Sequence, residues 1–256
     1  GAGGIGKAKE VQPAVKHVLS RELQLYFERV TDIIKGGEGT LQRAALESLA
    51  TDTGLHPLVP YFTQFIADEV TRGLKDVALL SALMHVARAL LSNPSLDMGP
   101  YLHQLMPSLL TCCVAKKLGA RPSDDHWAVR QLAGRTVAMV CHRMGATYQN
   151  LQPRITRTML RAFLDPGKPL TTHYGAIVGL AALGPRAVQA LLLPNLAPYV
   201  QLLLPELGPK QRNELKKFEA SRCYGAMVEA TGHCVHHGMY QWLGQLAGSA
   251  QAGAAA

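Results

Sequence analysis

From Ser20 onward, apolar positions recur at steps of three and four, the period of amphipathic helices. The clearest stretch runs from Asp124 to Gly145, DDHWAVRQLAGRTVAMVCHRMG. Val129, Leu132, Ala133, Thr136, Val137, Val140 and Met144 make one apolar stripe, with Gln131, Arg135 and His142 on the opposite side. Asp124 or Asp125 can cap its first turn, because a carboxylate accepts an orphan N–H there. Gly145 is expected to close the helix in a left-handed conformation. Trp127 is the largest packing anchor in the chain, and its truncation to alanine is expected to cost a few kcal/mol. Arg130 sits at the edge of the stripe, five residues after Asp125.

The same period marks further helices in order. Ser20–Lys35 is capped by Ser20 and broken by Gly36, Gly37 and Gly39. A short helix opens at Thr40 and ends by Gly54, and Pro57–Arg72 follows with Pro60 in its first turn. Asp76 caps Val77–Ser92, which has apolar residues on two faces and must therefore lie between neighbours. Pro100–Leu118 contains Pro107, which removes a backbone bond and predicts a kink. Leu151–Leu164, a small-residue helix Thr171–Leu183, a Leu-rich helix over Ala187–Pro205 and a last helix from Lys210 to about His237 complete the series. No stretch keeps the two-residue alternation of a strand.

These are ten helices in five antiparallel pairs, opening near Ser20, Pro57, Gly99, Asn150 and Pro185, at spacings of 37, 42, 51 and 35 residues. Those spacings bracket the roughly 40–47 residues of HEAT or armadillo units and are too irregular for a tighter repeat. The Asp-x-x-x-x-Arg opening of the Asp125–Arg130 helix resembles the second helix of a HEAT repeat, whose Arg bonds carboxylates or carbonyls of a neighbouring repeat. The expected fold is all-α: an α-solenoid of about five degenerate HEAT repeats over residues 19–238. Residues 1–18 are expected to be a flexible N-terminal tail and 239–256 a flexible Gly/Ala-rich C-terminal tail.

Composition supports a helical core. Hydrophobic residues make up 48% of the chain and aromatics only 6%, a mixture that favours helices over strands. The formal charge of +8 raises the prospect of acidic or nucleic-acid partners. Cys112, Cys113, Cys141, Cys223 and Cys234 are odd in number and irregularly spaced, which fits a reducing compartment better than a disulfide framework. Residues 1–18 lack the continuous apolar run of a secretory leader. The uncharged run AVQALLLPNLAPYVQLLLP approaches a membrane span in length, but its prolines and polar residues favour a buried solenoid helix instead.

Candidate chemistry is sparse. GAGGIGKA at the start fits G-x-G-x-x-G, but Ala8 stands where a P-loop needs a hydroxyl, and nucleotide binding is rejected. The chain has neither G-x-S-x-G nor H-E-x-x-H, so no catalytic residues are assigned. His233, Cys234, His236 and His237 cluster without a second ligand group of matching spacing, so no metal or cofactor is assigned. Basic residues form three groups: Arg154, Arg157 and Arg161; Lys116, Lys117 and Arg121; and Lys210, Arg212, Lys216, Lys217 and Arg222. A solenoid could align them into a stripe for salt-sensitive contact with DNA or RNA, or for docking acidic protein segments.

Several long stretches together resemble the C-terminal domain of subunit six of the general transcription factor TFIID. They are ELQLYFERVTDII (22–34), ALESLATDTGLHPLVPYFTQFIADEV (45–70), ALLSALMHVARALLSNPSL (78–96), DDHWAVRQLAGRTVAMV, QPRITRTMLRAF (152–163) and TTHYGAIVGLAALG (171–184). They occur in the family's order over roughly residues 20–200. The resemblance implies a HEAT-repeat fold, a nuclear location, and a non-catalytic scaffold in TFIID or a SAGA-type coactivator. The implied partners are other subunits of those complexes, with promoter DNA as the alternative and no membrane or small-molecule substrate. Family members also carry an N-terminal histone fold that pairs with subunit nine, a pairing not attributed to these residues. On this basis Asp125, Trp127 and Arg130 are expected to be structural, with Trp127 and Arg130 setting the register between repeats. Tyr174, Gly175 and the Arg154, Arg157 and Arg161 face are expected to contact partners.

Overall fold

The computed structural model describes residues 19–254, with side chains described as far as Gln245. The expected tail over residues 1–18, with its glycine motif, lies outside the described residues. Among the described residues, ten helices of twelve residues or more form five pairs: α1 (Arg21–Gly36) with α2 (Gly39–Thr51), α3 (Val59–Arg72) with α4 (Val77–Ser92), α5 (Leu102–Val114) with α6 (His126–Met144), α7 (Leu151–Leu164) with α8 (Leu170–Ala182), and α10 (Leu196–Leu207) with α11 (Glu214–Ala254). A single turn, α9 (Pro185–Ala187), precedes α10. Among the described residues there is no strand. The second helices α2, α4, α6, α8 and α11 stack side by side, and each first helix packs on its own partner. The fold is an α-solenoid with one continuous apolar core.

The caps follow from the sequence. The Ser20 hydroxyl accepts Leu23 N–H at 3.3 Å, Asp76 accepts Leu79 N–H at 2.9 Å and Asp125 accepts Ala128 N–H at 3.5 Å. Asp124 orders the preceding turn, its carboxylate accepting the N–H groups of Ala120 and Arg121 at 2.9 Å each. As expected of a helix apolar on two faces, α4 buries Leu80, Leu83, Met84, Val86, Ala87, Leu90 and Leu91. Asn93 ends it. Its buried amide donates to Leu49 O at 3.0 Å and Asp52 O at 2.7 Å, which ties the C-terminal ends of α2 and α4 together.

Four details differ from the sequence reading. Gly145 is right-handed, at φ −62° and ψ −32°, because the chain closes the helix with a tight turn in which Thr147 and Tyr148 N–H bond Met144 O. The helix expected over 100–118 stops at Val114, and Gly119 N–H instead reaches Leu74 O at 2.9 Å. The Leu-rich run is not one buried helix. A π-turn at Val188–Leu192 and a 3-10 turn at Leu193–Asn195, where Pro194 withholds a donor, interrupt it. Pro185–Leu207 is long and apolar enough to cross a membrane by length and composition, yet only Val188, Leu192, Tyr199 and Leu203 within it are buried. Among the described residues no further helix pair covers its outer side.

The fourth difference is α11. It starts at Glu214, where Asn213 accepts Lys216 N–H at 3.1 Å, and it continues past Gly238 to Ala254. The flexible tail expected over 239–256 is therefore helical through Ala254. Each glycine there weakens a helix by about 1 kcal/mol without ending it, and no proline follows Pro209.

Candidate functional site

The polar chemistry of the interior gathers where α5 ends against α6 and α8. The last carbonyls of a helix have no partner of their own, and inside a core they must find donors. Arg130 of α6 donates through Nη1 to Cys113 O at 3.0 Å. At the start of α8, Thr172 donates to Ala115 O at 3.4 Å and Thr171 to Lys116 O at 2.8 Å. A cation placed here also meets the negative end of the α5 dipole. Arg130 is 0% exposed and faces no carboxylate within ion-pair distance among the described residues. The sequence reading expected an acceptor in a neighbouring repeat; the carbonyl that Arg130 meets belongs instead to α5, the first helix of its own pair.

Burial moves the titrations in this region. It lowers Arg130 to about 10, which leaves the guanidinium charged at neutral pH. Burial first and the Arg130 charge second push His126 down to about 4. His126 is therefore neutral at pH 7, and its Nδ1 accepts from Arg130 Nε at 3.2 Å. Once unfolded, His126 would take up a proton near its ordinary value of about 6.5. Between those limits the unfolded chain binds more protons, so stability is complete above about pH 6.5 and falls as the pH drops towards about 4. Buried His173, also held below its ordinary value, acts in the same direction. Urea unfolding from pH 7 to 4.5 should show the wild type losing about 2 kcal/mol more than His126→Gln. Equal losses would remove His126 from this role.

Arg130 itself separates two effects. Arg130→Ala leaves a cavity and strands the Cys113 carbonyl and His126 Nδ1, at an expected net cost of about 3 kcal/mol. Arg130→Met keeps the volume and relieves the buried charge but strands the same two acceptors, and is expected to cost about 1.5 kcal/mol. Urea unfolding of the pair measures the difference; matching losses would contradict this division.

Close approach makes the junction possible. A Cβ added at Gly175 would lie 1.8 Å from Cys113 O, so the α8 backbone rests directly on the end of α5. Gly134 of α6 meets Gly179 of α8 in the same way, a Cβ at Gly134 lying 3.0 Å from Gly179 Cα. Trp127 then joins three helices. Its ring meets Tyr174 of α8 edge-on at 4.8 Å and Phe218 of α11 at 5.9 Å. The Arg222 guanidinium lies 5.3 Å from the centroids of both Trp127 and Tyr174 and donates to the Tyr174 hydroxyl at 3.3 Å.

These contacts correct two expectations. Tyr174 and Gly175, assigned to partner contact, are buried in the junction and offer no surface. Arg222, grouped with a solvent-facing basic run, is half-buried between two rings. Asp125 caps α6 and Trp127 is nearly buried, while Arg130, expected at the edge of the apolar stripe, is fully buried. Arg154, Arg157 and Arg161 are exposed along α7, with no carboxylate in ion-pair range among the described residues. Lys116 and Lys117 are exposed, while Arg121 lies 3.5 Å from Asp124. His126, Thr171 and Thr172 were not singled out beforehand. Two adjacent hydroxyl residues opening α8 were the available signal.

The remaining groups are quiet. Burial pushes the thiols of Cys112, Cys113 and Cys223 up to about 12 and that of Cys141 up to about 11, so all four stay protonated at neutral pH. Cys113 donates to Gly175 O at 3.1 Å, one more link between α5 and α8. Cys234 is buried with its thiol towards Pro185 O, turned away from exposed His233, His236 and His237. Among the described residues no three His, Cys, Asp or Glu side chains converge as a metal site.

Comparison with known proteins assigns the solenoid. The family model of the TAF6 C-terminal HEAT repeat domain matches residues 15–197, from α1 into α10. The chain belongs to the TAF6 C-terminal HEAT repeat family. It is 54% identical over 233 residues to transcription initiation factor TFIID subunit 6 of Arabidopsis thaliana, covering 90% of this chain and 42% of that protein. It is 49% identical over 223 residues to the SAGA complex/transcription factor TFIID complex subunit Taf6 of Schizosaccharomyces pombe, covering 86% and 49%. The chain thus spans less than half the length of these TAF6 relatives. Among solved structures it matches the TAF6 C-terminal domain from Antonospora locustae, with a TM-score of 0.64 and 26% identity over 81% of this chain and 98% of that one.

Proposed function

We propose that this chain is a non-catalytic scaffold domain of a TFIID-type transcription initiation complex, acting in the nucleus, with SAGA-type coactivators as a second assembly. The supporting observation is the family match across residues 15–197, together with relatives named as TFIID and SAGA subunits. The mechanism is geometric. The polar and aromatic groups of the α5–α6–α8–α11 junction are spent on holding helices to one another, which leaves the outer faces to grip other subunits. No cofactor or small-molecule substrate takes part.

A second reading rests on α7. Arg154, Arg157 and Arg161 are exposed on one helix with no carboxylate in ion-pair range among the described residues, an arrangement suited to phosphate contact with DNA or RNA. One experiment separates the two. The tagged chain is recovered from nuclear extract and its co-purifying proteins are identified, while its binding to duplex DNA is titrated across salt. The scaffold reading expects TFIID or SAGA subunits on the bait and weak DNA binding. Absence of those subunits, with DNA retardation that disappears when the three arginines are replaced, would favour the second reading and reject the first.

A further inference from the structure

The polar side of α6 has a use that its sequence pattern hid. Gln131, Arg135 and His142, placed opposite the apolar stripe, form one wall of a trough of about 510 Å³ between α6, α8 and α11. Apart from Met139 of α6, the apolar lining of its floor is small: Ala138 of α6, Val178 and Ala182 of α8, and Ala226 and Ala230 of α11 among them. Short side chains on three adjacent helices leave a depression that larger ones would fill. The rim is polar and mostly basic. Arg135 and Arg143 are exposed with no carboxylate in ion-pair range among the described residues, His142 and His233 flank them, and Glu229 is the one acidic residue lining the trough.

We infer that this trough seats an acidic segment of a partner protein, with apolar side chains on the alanine floor and carboxylates on Arg135 and Arg143. This rests on the scaffold reading and gives it a specific face. The charge balance selects carboxylate-bearing occupants, and an Arg fork binds a carboxylate through two parallel hydrogen bonds. The floor selects a polypeptide over a nucleic acid. Phosphates gain nothing from an apolar floor, and stacked bases need aromatic platforms, which the lining lacks apart from its two histidines. A short amphipathic helix or turn presenting apolar anchors between acidic residues has both features the trough asks for.

The test is a differential selection. A phage library of random dodecapeptides is panned on the full chain and, in parallel, on the doubly charge-reversed Arg135→Glu/Arg143→Glu variant. Both arginines are exposed, and a thermal melt checks that the variant stays folded. The wild type should enrich peptides that combine aliphatic residues with Asp or Glu. Those peptides should bind the charge-reversed variant at least about tenfold more weakly. Ala182→Gln, which fills the floor without changing charge, should weaken them by a similar factor. Equal enrichment of acidic peptides on both proteins would overturn the inference. So would binding indifferent to Ala182→Gln, or displacement of the peptides by a short DNA duplex. Recovery from nuclear extract separates the levels of the argument. TFIID or SAGA subunits retained undiminished by the charge-reversed bait would sink the trough and leave the scaffold reading intact. Their absence from the wild-type bait would sink the scaffold reading itself.

Discussion

Gly175→Val is expected to destabilise the chain by about 5 kcal/mol, enough to leave a large unfolded fraction at physiological temperature. Gly175 is where α8 rests on the last turn of α5. Even an alanine would place Cβ 1.8 Å from Cys113 O, against a comfortable contact of roughly 3.3 Å. The obstructing atom is backbone, so no rotamer change relieves the clash and the two helices must part by more than about 1 Å. Parting them breaks more than packing. The Cys113 carbonyl is held by Arg130, its thiol donates to Gly175 O, and the neighbouring carbonyls are held by Thr171 and Thr172. Three of these bonds, from the Cys113 thiol and the two threonines, bridge the end of α5 and α8 and would be stretched; the Arg130 bond ties the same carbonyl to α6. Gly175→Ala should cost about 3 kcal/mol for the same reason, with part of the shift absorbed locally. Urea unfolding followed by circular dichroism measures both. A valine variant within about 1 kcal/mol of wild type would mean that the close approach is not real.

Trp127→Ala carries the second large effect, about 4 kcal/mol. The indole is nearly buried and touches α6, α8 and α11 at once. Its removal opens a cavity and also takes one of the two rings that flank the Arg222 guanidinium, whose Nε has no hydrogen-bond partner among the described residues. Trp127→Phe keeps part of the volume and should cost about half as much. Thermal melts of the two variants should fall in that order. An unchanged melt for Trp127→Ala would remove this helix from its central place.

How much of this was legible beforehand depended on the range of each interaction. Helix starts were local and readable, since Ser20, Asp76 and Asp125 each act three residues along the chain. The pairing was readable because helix lengths and breaks set the repeat. The spacing of Arg130 from Asp125 marked the residue locally, but its acceptor, Cys113 O in the first helix of its own pair, lies 17 residues away and was not readable. Tyr174 and Gly175 were misplaced because a matched segment does not say which side of its helix faces inward. The partner of Gly175 lies 62 residues earlier, and Arg222 meets Tyr174 across 48 residues. The Leu-rich run misled for another reason. High apolarity ordinarily signals burial, but burial needs a neighbour, and α10 has one on a single side among the described residues. Gly238 misled because glycine weakens a helix far less than proline does.

The central claim is that the α5–α6–α8–α11 junction couples the helix pairs into one spine that folds as a unit. The most direct measurement is equilibrium denaturation of a Trp242→Phe background, in which Trp127 is the sole remaining tryptophan. Trp127 fluorescence then reports the junction alone, while far-ultraviolet circular dichroism reports all the helices together. One transition with coincident midpoints by both probes is the predicted result. Separate midpoints, with the junction melting while most of the helix signal persists, would contradict it.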